Sequence, residues 1–140
     1  MKYLVYIVLF FYGSILLGQS NIAIVGNEVS FKTLDIKEAK MIFRGKYNYW
    51  KNKNKVTLVL PSSKNPNSSI VAQKIYNSNS DAVKRYWLSQ VFQGRFSSPV
   101  FLDSDQEIIE FVSKNPGAIG LISISKFSTI EDQFKITLTE

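Results

Sequence analysis

Ile42-Phe43-Arg44-Gly45-Lys46-Tyr47-Asn48-Tyr49-Trp50 closes one kind of periodicity and leads into another. Upstream, Ile36, Ala39, Ile42 and Phe43 recur at the spacing of a single helix face. Asp35, with Glu38 three residues on, supplies a capping-box pattern ahead of them. The spacing predicts a helix over Ile36–Phe43, and Gly45 can take the left-handed conformation that ends it. Downstream, Val56-Thr57-Leu58-Val59-Leu60 is apolar apart from Thr57 and rich in β-branched residues, which fits a central strand covered on both faces. Pro61 ends it.

The same alternation continues on both sides. Asn21–Asn27 is a short apolar run closing in turn residues and reads as a buried strand. After Pro61, the polar loop Ser62–Ser69 feeds a helix with Ile70, Val71, Lys74 and Ile75 on one side. A second helix is expected over Asp81–Phe92, with a wide apolar stripe of Ala82, Val83, Tyr86, Trp87, Val91 and Phe92 and Gly94 past its end. Pro99–Leu102 is a short strand. Ser104 and Glu107 form another capping box, opening a helix that carries Ile108, Ile109, Phe111 and Val112 and stops before Asn115-Pro116. Ala118–Ile122 is a further strand, with glycines where neighbouring backbone comes close. The tail, Phe134–Thr139, alternates with period two and is expected at a sheet edge. Helices alternating with apolar strands give an α/β fold with a mostly parallel sheet flanked by helices.

Composition narrows the function classes. A chain of 140 residues with 45% hydrophobic and 14% aromatic content can bury the core of one small domain. It contains neither cysteine nor histidine, which excludes disulfides, thiolate catalysis, His-based metal sites and Ser-His-Asp chemistry. No other nucleophile–base arrangement is visible, so neither an enzyme nor a cofactor is expected. Residues 1–20 read as a signal peptide: Lys2, an apolar run from Tyr3 to Leu17, then Gly18-Gln19-Ser20 with cleavage after Ser20. That run is shorter than the ~20 residues needed to span a bilayer. No cysteine follows it, so lipoprotein processing is excluded. Residues 21–140 would then form an extracytoplasmic domain with no membrane span.

Lys2 is the only charge in residues 1–20, so the remainder keeps 16 basic residues against 11 acidic ones. Lys51, Lys53 and Lys55 alternate with asparagines, as in a solvated turn, and a nucleic-acid partner is not expected despite Tyr47, Tyr49 and Trp50 nearby. The aromatic groups read as core packing. What the charge balance favours is an anionic partner.

Ligands of open α/β sheets bind beyond the carboxyl ends of strands, where helix N-termini present free amides. The loop after Val56–Leu60 therefore supplies the candidate ligand-binding residues Ser62, Ser63, Asn67, Ser68 and Ser69, with Lys64 and Asn65 between them. The competing reading is an ordinary polar loop capping its helix. Asp103, Asp105, Glu107 and Glu110 read as first-turn and capping residues rather than catalytic carboxylates or a calcium site.

Three stretches, in order, carry a resemblance. Ile42–Lys46 with Trp50, Tyr86-Trp87 with Phe92-Gln93-Gly94, and Pro116-Gly117-Ala118-Ile119-Gly120 resemble segments of the periplasmic phosphate-binding proteins of ABC transporters, over about Asn21 to Ile122. The resemblance implies one lobe of a type-II periplasmic binding-protein-like fold, an extracytoplasmic location, and a small oxyanion such as phosphate as ligand. The family's ligand loop reads Arg-Ser-Asp-Gly-Ser-Gly-Thr-Thr. Against it, Pro61 stands in place of the arginine, Ser62 matches the serine, and Ser63 replaces the acid. Asn65 and Pro66 replace Ser-Gly, and Asn67 and Ser68 stand for the threonines. The missing arginine removes a bidentate clamp on phosphate, and Pro66 removes a backbone donor. Family members close two lobes over the ligand, whereas about 120 residues make one. The resemblance thus implies a protein partner or a second copy completing the cleft. The alternative is a ligand-free structural or interaction module of the cell envelope.

Overall fold

The computed structural model describes residues 21–139; the expected signal peptide lies outside the described residues. The strands are β1 (Ile22–Gly26), β2 (Thr33–Asp35), β3 (Thr57–Pro61), β4 (Val100–Leu102), β5 (Ala118–Ser123) and β6 (Lys135–Thr139). The α-helices are α1 (Ile36–Phe43), α2 (Ser68–Tyr76), α3 (Ser80–Phe92) and α4 (Asp105–Lys114), and two short 3-10 helices, Ile124–Thr129 and Asp132–Phe134, precede β6. The sheet order is β2-β6-β1-β5-β3-β4. β3 runs parallel to β4 and β5, and β2 parallel to β6, while β1 is antiparallel to both its neighbours.

The continuously apolar strands are covered on both faces. Ile22 and Ile24 of β1, Leu58 and Leu60 of β3, and Ile119 and Leu121 of β5 face α1 and α2, in a layer that also takes in Trp50, Trp87 and Ile136. Their neighbours Ala23, Val25, Val59, Ala118 and Ile122 face Ile108 and Val112 of α4 and Ile130. Every buried residue of the two layers lies between Ile22 and Ile136, so this part of the chain carries its own core. The expected caps form as read: Asp35 accepts from the Glu38 amide at 2.7 Å, and Ser104 from the Glu107 amide at 3.2 Å. The Glu107 carboxylate reaches back to the Asp103 amide instead of to the capping serine itself.

Several expectations need correction: β2 was not anticipated, and Tyr49, read with its aromatic neighbours as core, is 64% exposed. The tail strand is not at an edge, since β6 sits between β1 and β2. Alternation reports that one face is solvated, as Ile136 buried beside exposed Thr137 shows, and says nothing about neighbours in the plane of the sheet. The α3 stripe is also narrower than expected. Val83 and Trp87 are buried, but Val91 is 39% and Phe92 83% exposed. α3 packs on α2 rather than on the sheet, so only a thin inner line of it meets apolar neighbours.

The opening stretch is clamped by hydrogen bonds both to and from it. The Tyr76 hydroxyl donates to the Phe43 carbonyl and accepts from the Trp87 indole at 3.0 Å, while Arg44 Nε donates to the Ile75 carbonyl at 2.9 Å. Burial pushes the Tyr76 phenol well above its ordinary value, so it stays protonated and able to donate.

Two turns require glycine. Gly45 (φ 94°) lies against the Trp87 ring, where a Cβ would meet Cη2 at 3.2 Å. Gly117 (φ 89°) lies against the Lys55 backbone, where a Cβ would collide with the carbonyl oxygen. Both alanine variants adopt a left-handed conformation costing about 1–2 kcal/mol. At Gly45 a side chain can give way, whereas at Gly117 the backbone of β3's entry must move. Urea melts are therefore expected to show Gly117→Ala as the more destabilising of the two by at least about 1 kcal/mol. Equal losses would show that the Lys55 contact imposes no constraint.

Candidate binding cleft

β3, β4 and β5 run in one direction, so their carboxyl ends, Pro61, Leu102 and Ser123, open onto the same side of the sheet. An open cleft of about 440 Å³ lies there, between the loop entering α2, the first turn of α4 and the 3-10 segment after β5. Its walls include Asn67 from the first with Ile70 of α2 beside it, Ser104 and Asp105 from the second, and Ser125 and Lys126 from the third.

The β3–α2 loop is held by Asn65, which is 3% exposed. Its Oδ1 accepts from the Asn67 amide at 2.9 Å and its Nδ2 donates to the Leu102 carbonyl at 3.3 Å. Its backbone amide donates to Ser62 and its carbonyl accepts from the Ser68 amide, each at 3.0 Å. This local bonding replaces a cap on α2, for Asn67 occupies the N-cap position with helical backbone and makes no side-chain cap bond.

The five loop residues expected at a ligand do not converge. Asn67 lines the cleft. Ser63 and Ser68 come together in a different place, a narrow crevice of about 10 Å³ beside Val83 and Lys84 of α3, where Lys84 Nζ donates to Ser63 Oγ at 3.3 Å. Ser62 turns its hydroxyl to the Asp103 carboxylate, and its amide donates to the Leu102 carbonyl at 2.9 Å. Ser69 is exposed and lines neither space.

Two residues that line the cleft each carry a side-chain atom without a partner. Asn67 Nδ2 and Asp105 Oδ1 are buried and have no hydrogen-bond partner among the described residues. The other Asp105 oxygen accepts from the Ser123 amide at 3.1 Å, which fixes the carboxylate at the end of β5. Leaving such groups unpaired costs about 1–3 kcal/mol each. The exposed Lys126 also lines the cleft, and a small polar ligand could accept from the amide and donate to the carboxylate once the two side chains turn toward it. Asp105 was read from the sequence only as a first-turn residue, and Lys126 was not singled out. The strand-end rule applied to β4 and β5 as well as to β3 would have reached both. Among the described residues, no cluster of three or more potential ligands is placed to hold a metal ion.

Asn65 and Asn67 make opposite stability predictions. Asn65→Ala removes two side-chain hydrogen bonds and leaves a buried amide unpaired, so a loss of about 2 kcal/mol is expected in chemical denaturation. Asn67→Ala removes a buried donor whose lack of a partner costs about 1–3 kcal/mol, so stability should not fall and is expected to rise. A comparable loss at Asn67 would make it a structural residue.

No protein-family model and no curated protein matches the chain. Solved structures do. PstS from Borrelia burgdorferi aligns with 86% of this chain and 47% of its own length, at 17% identity and a TM-score of 0.62. A putative phosphate ABC transporter substrate-binding protein from Clostridium perfringens, solved with bound phosphate, aligns with 84% of the chain and 44% of its own, at 21% identity and a TM-score of 0.52. A possible phosphate binding protein from Planctomyces limnophilus gives 86% and 42%, at 14% identity and a TM-score of 0.59. The chain spans less than half the length of each. In fold, it resembles one lobe of the phosphate ABC transporter substrate-binding proteins, as the motif order in its sequence implied.

Proposed function

We propose that the chain is a solute-binding-protein-like domain, without enzymatic activity, that takes a small oxyanion such as phosphate in the cleft at the carboxyl ends of β3, β4 and β5. The observation that carries this reading is the pairing of an unsatisfied buried donor, Asn67 Nδ2, with an unsatisfied buried acceptor, Asp105 Oδ1, in one cleft. Lys126 adds the positive charge. Asn67 is then the ligand residue among the five expected from the sequence. Ser62 and Ser63 position the loop through Asp103 and Lys84, and Ser68 and Ser69 open α2 behind Asn67.

The chemistry favours a protonated oxyanion. Monohydrogen phosphate carries both acceptor oxygens for Asn67 and Lys126 and a hydroxyl for Asp105. Sulfate has no proton to donate and would face the carboxylate unpaired. We place the domain outside the cytoplasm, released by cleavage after Ser20, with a protein partner or a second copy covering the cleft mouth. The alternative, an envelope interaction module that keeps the lobe without the ligand, is favoured by Pro61 in place of the family's arginine.

A melting scan of residues 21–140 separates the two. Phosphate at about a hundred times its dissociation constant should add about 2.7 kcal/mol of apparent stability. Sulfate at matched ionic strength should add less, and Asn67→Ala or Asp105→Asn should abolish the phosphate effect. Equal shifts with phosphate and sulfate would remove the role given to Asp105. No shift with any oxyanion would leave the interaction module standing.

A further inference from the structure

The outer surface of α3 takes no part in the cleft. Lys84, Leu88 and Phe92 are four residues apart, so they stand in one line along the helix, and the neighbouring line of Val83, Trp87 and Val91 is buried up to Trp87. Leu88 is 59% and Phe92 83% exposed, with Val91 at 39% beside them. These are three of the six exposed large apolar residues among the described ones, gathered on the last two turns of one helix. Isolated exposed apolar residues are ordinary; a row of them on one helix is a candidate contact surface.

The charge around the last two turns of this ridge has one sign, the exposed Asp81 in the first turn of α3 being the one acid of the helix. From Ala82 to Leu102 the sequence contains Lys84, Arg85 and Arg95 and no acidic residue. All three are exposed. Neither the Arg85 nor the Arg95 guanidinium has a hydrogen-bond or ion-pair partner among the described residues. A second copy docked ridge to ridge would bring like charges together. A folded protein partner would need an apolar groove with acidic residues on both walls. A bilayer containing anionic lipids offers both features at once, an apolar layer beneath a negative surface, and a convex apolar ridge edged by cations matches it.

We propose that the α3 ridge of Leu88, Val91 and Phe92, with Lys84, Arg85 and Arg95 around it, is a docking surface for an anionic phospholipid membrane. The apolar side chains enter the headgroup–acyl boundary while the basic side chains reach phosphate groups beside them. Docking leaves the cleft unused, so it stands whether or not the cleft binds an oxyanion.

Vesicle flotation of residues 21–140 tests this; residues 1–20 are omitted because their apolar run would itself partition into lipid. The protein should float with vesicles of phosphatidylcholine and phosphatidylglycerol, remain unbound with phosphatidylcholine alone, and dissociate as salt rises. The double variant Leu88→Asp, Phe92→Asp should lose binding. Arg85→Gln with Arg95→Gln should lower the partition about tenfold or more. All four positions are exposed, so the melting curve serves as the folding control, and the arginine pair decides if the aspartate pair fails it. Absence of binding to the mixed vesicles overturns the proposal in favour of an acidic protein partner. Binding retained by a correctly folded double variant of either kind overturns it as well.

Discussion

The fold depends on a junction centred on Gly117. Its amide donates to the Asn27 carbonyl at 2.7 Å, and its carbonyl accepts from both the Trp50 indole, at 2.8 Å, and the Thr57 amide, at 3.1 Å. Asn27 completes the set: its backbone amide donates to Ala118 at 2.9 Å, and its side chain to the Val112 carbonyl at the end of α4, also at 2.9 Å. The end of β1, the entries of β3 and β5, and the last turn of α4 thus meet at one backbone position. A side chain there would displace Lys55. Since β3 and β5 are parallel, fixing their register at this end fixes which residues stand together at the other end, some five residues along each strand. The cleft is set from the opposite side of the sheet.

That dependence explains why the motifs were informative. Trp50 and Pro116-Gly117 are far apart in sequence and meaningless singly, but one hydrogen bond joins them, and it needs an indole donor, a tight turn and a residue without a side chain. The helix and strand pattern was legible for the same local reason: periodicity and caps are written within a few residues, so α1, α4 and five of the six strands fall where expected. β2, three residues with one buried side chain, was too short to show. The position of β6 was not legible, because in-plane neighbours leave no mark on alternation. The stripe of α3 is narrower than its sequence suggests because Val91 and Phe92 resemble core residues until the sheet turns out to be covered by α1 and α2 instead.

The candidate cleft lies where the strand-end rule points, but its lining differs from the residues expected there. The strand-end rule pointed to the β3–α2 loop, and Asn67 is there. Hydroxyl content was a poor guide within it. Ser62 and Ser63 have nearby partners, Asp103 and Lys84, from the next connection and the next helix. A polar side chain is available to a ligand only where the fold has not already satisfied it. Sequence shows which residues are polar; only the tertiary structure shows which are left over.

By that criterion, the unsatisfied pair weighs more than the lost arginine. Arginine would contribute a charged fork, strong but generic to carboxylates, sulfates and phosphates alike. An unpaired amide and an unpaired carboxylate oxygen, both buried, penalise any occupant that cannot satisfy them, which is how polar sites discriminate. They also carry a standing cost to the folded chain, one that an interaction module with a disused cleft has no reason to keep. Lys126, exposed at the mouth of a single lobe, is screened by water and salt. A surface closing over the mouth would remove that screening and strengthen the ammonium's hold on an anion without moving Asn67 or Asp105. On the proposed reading, the groups that would select the ligand stand on this lobe, and enclosure would act on the strength of the electrostatic attraction.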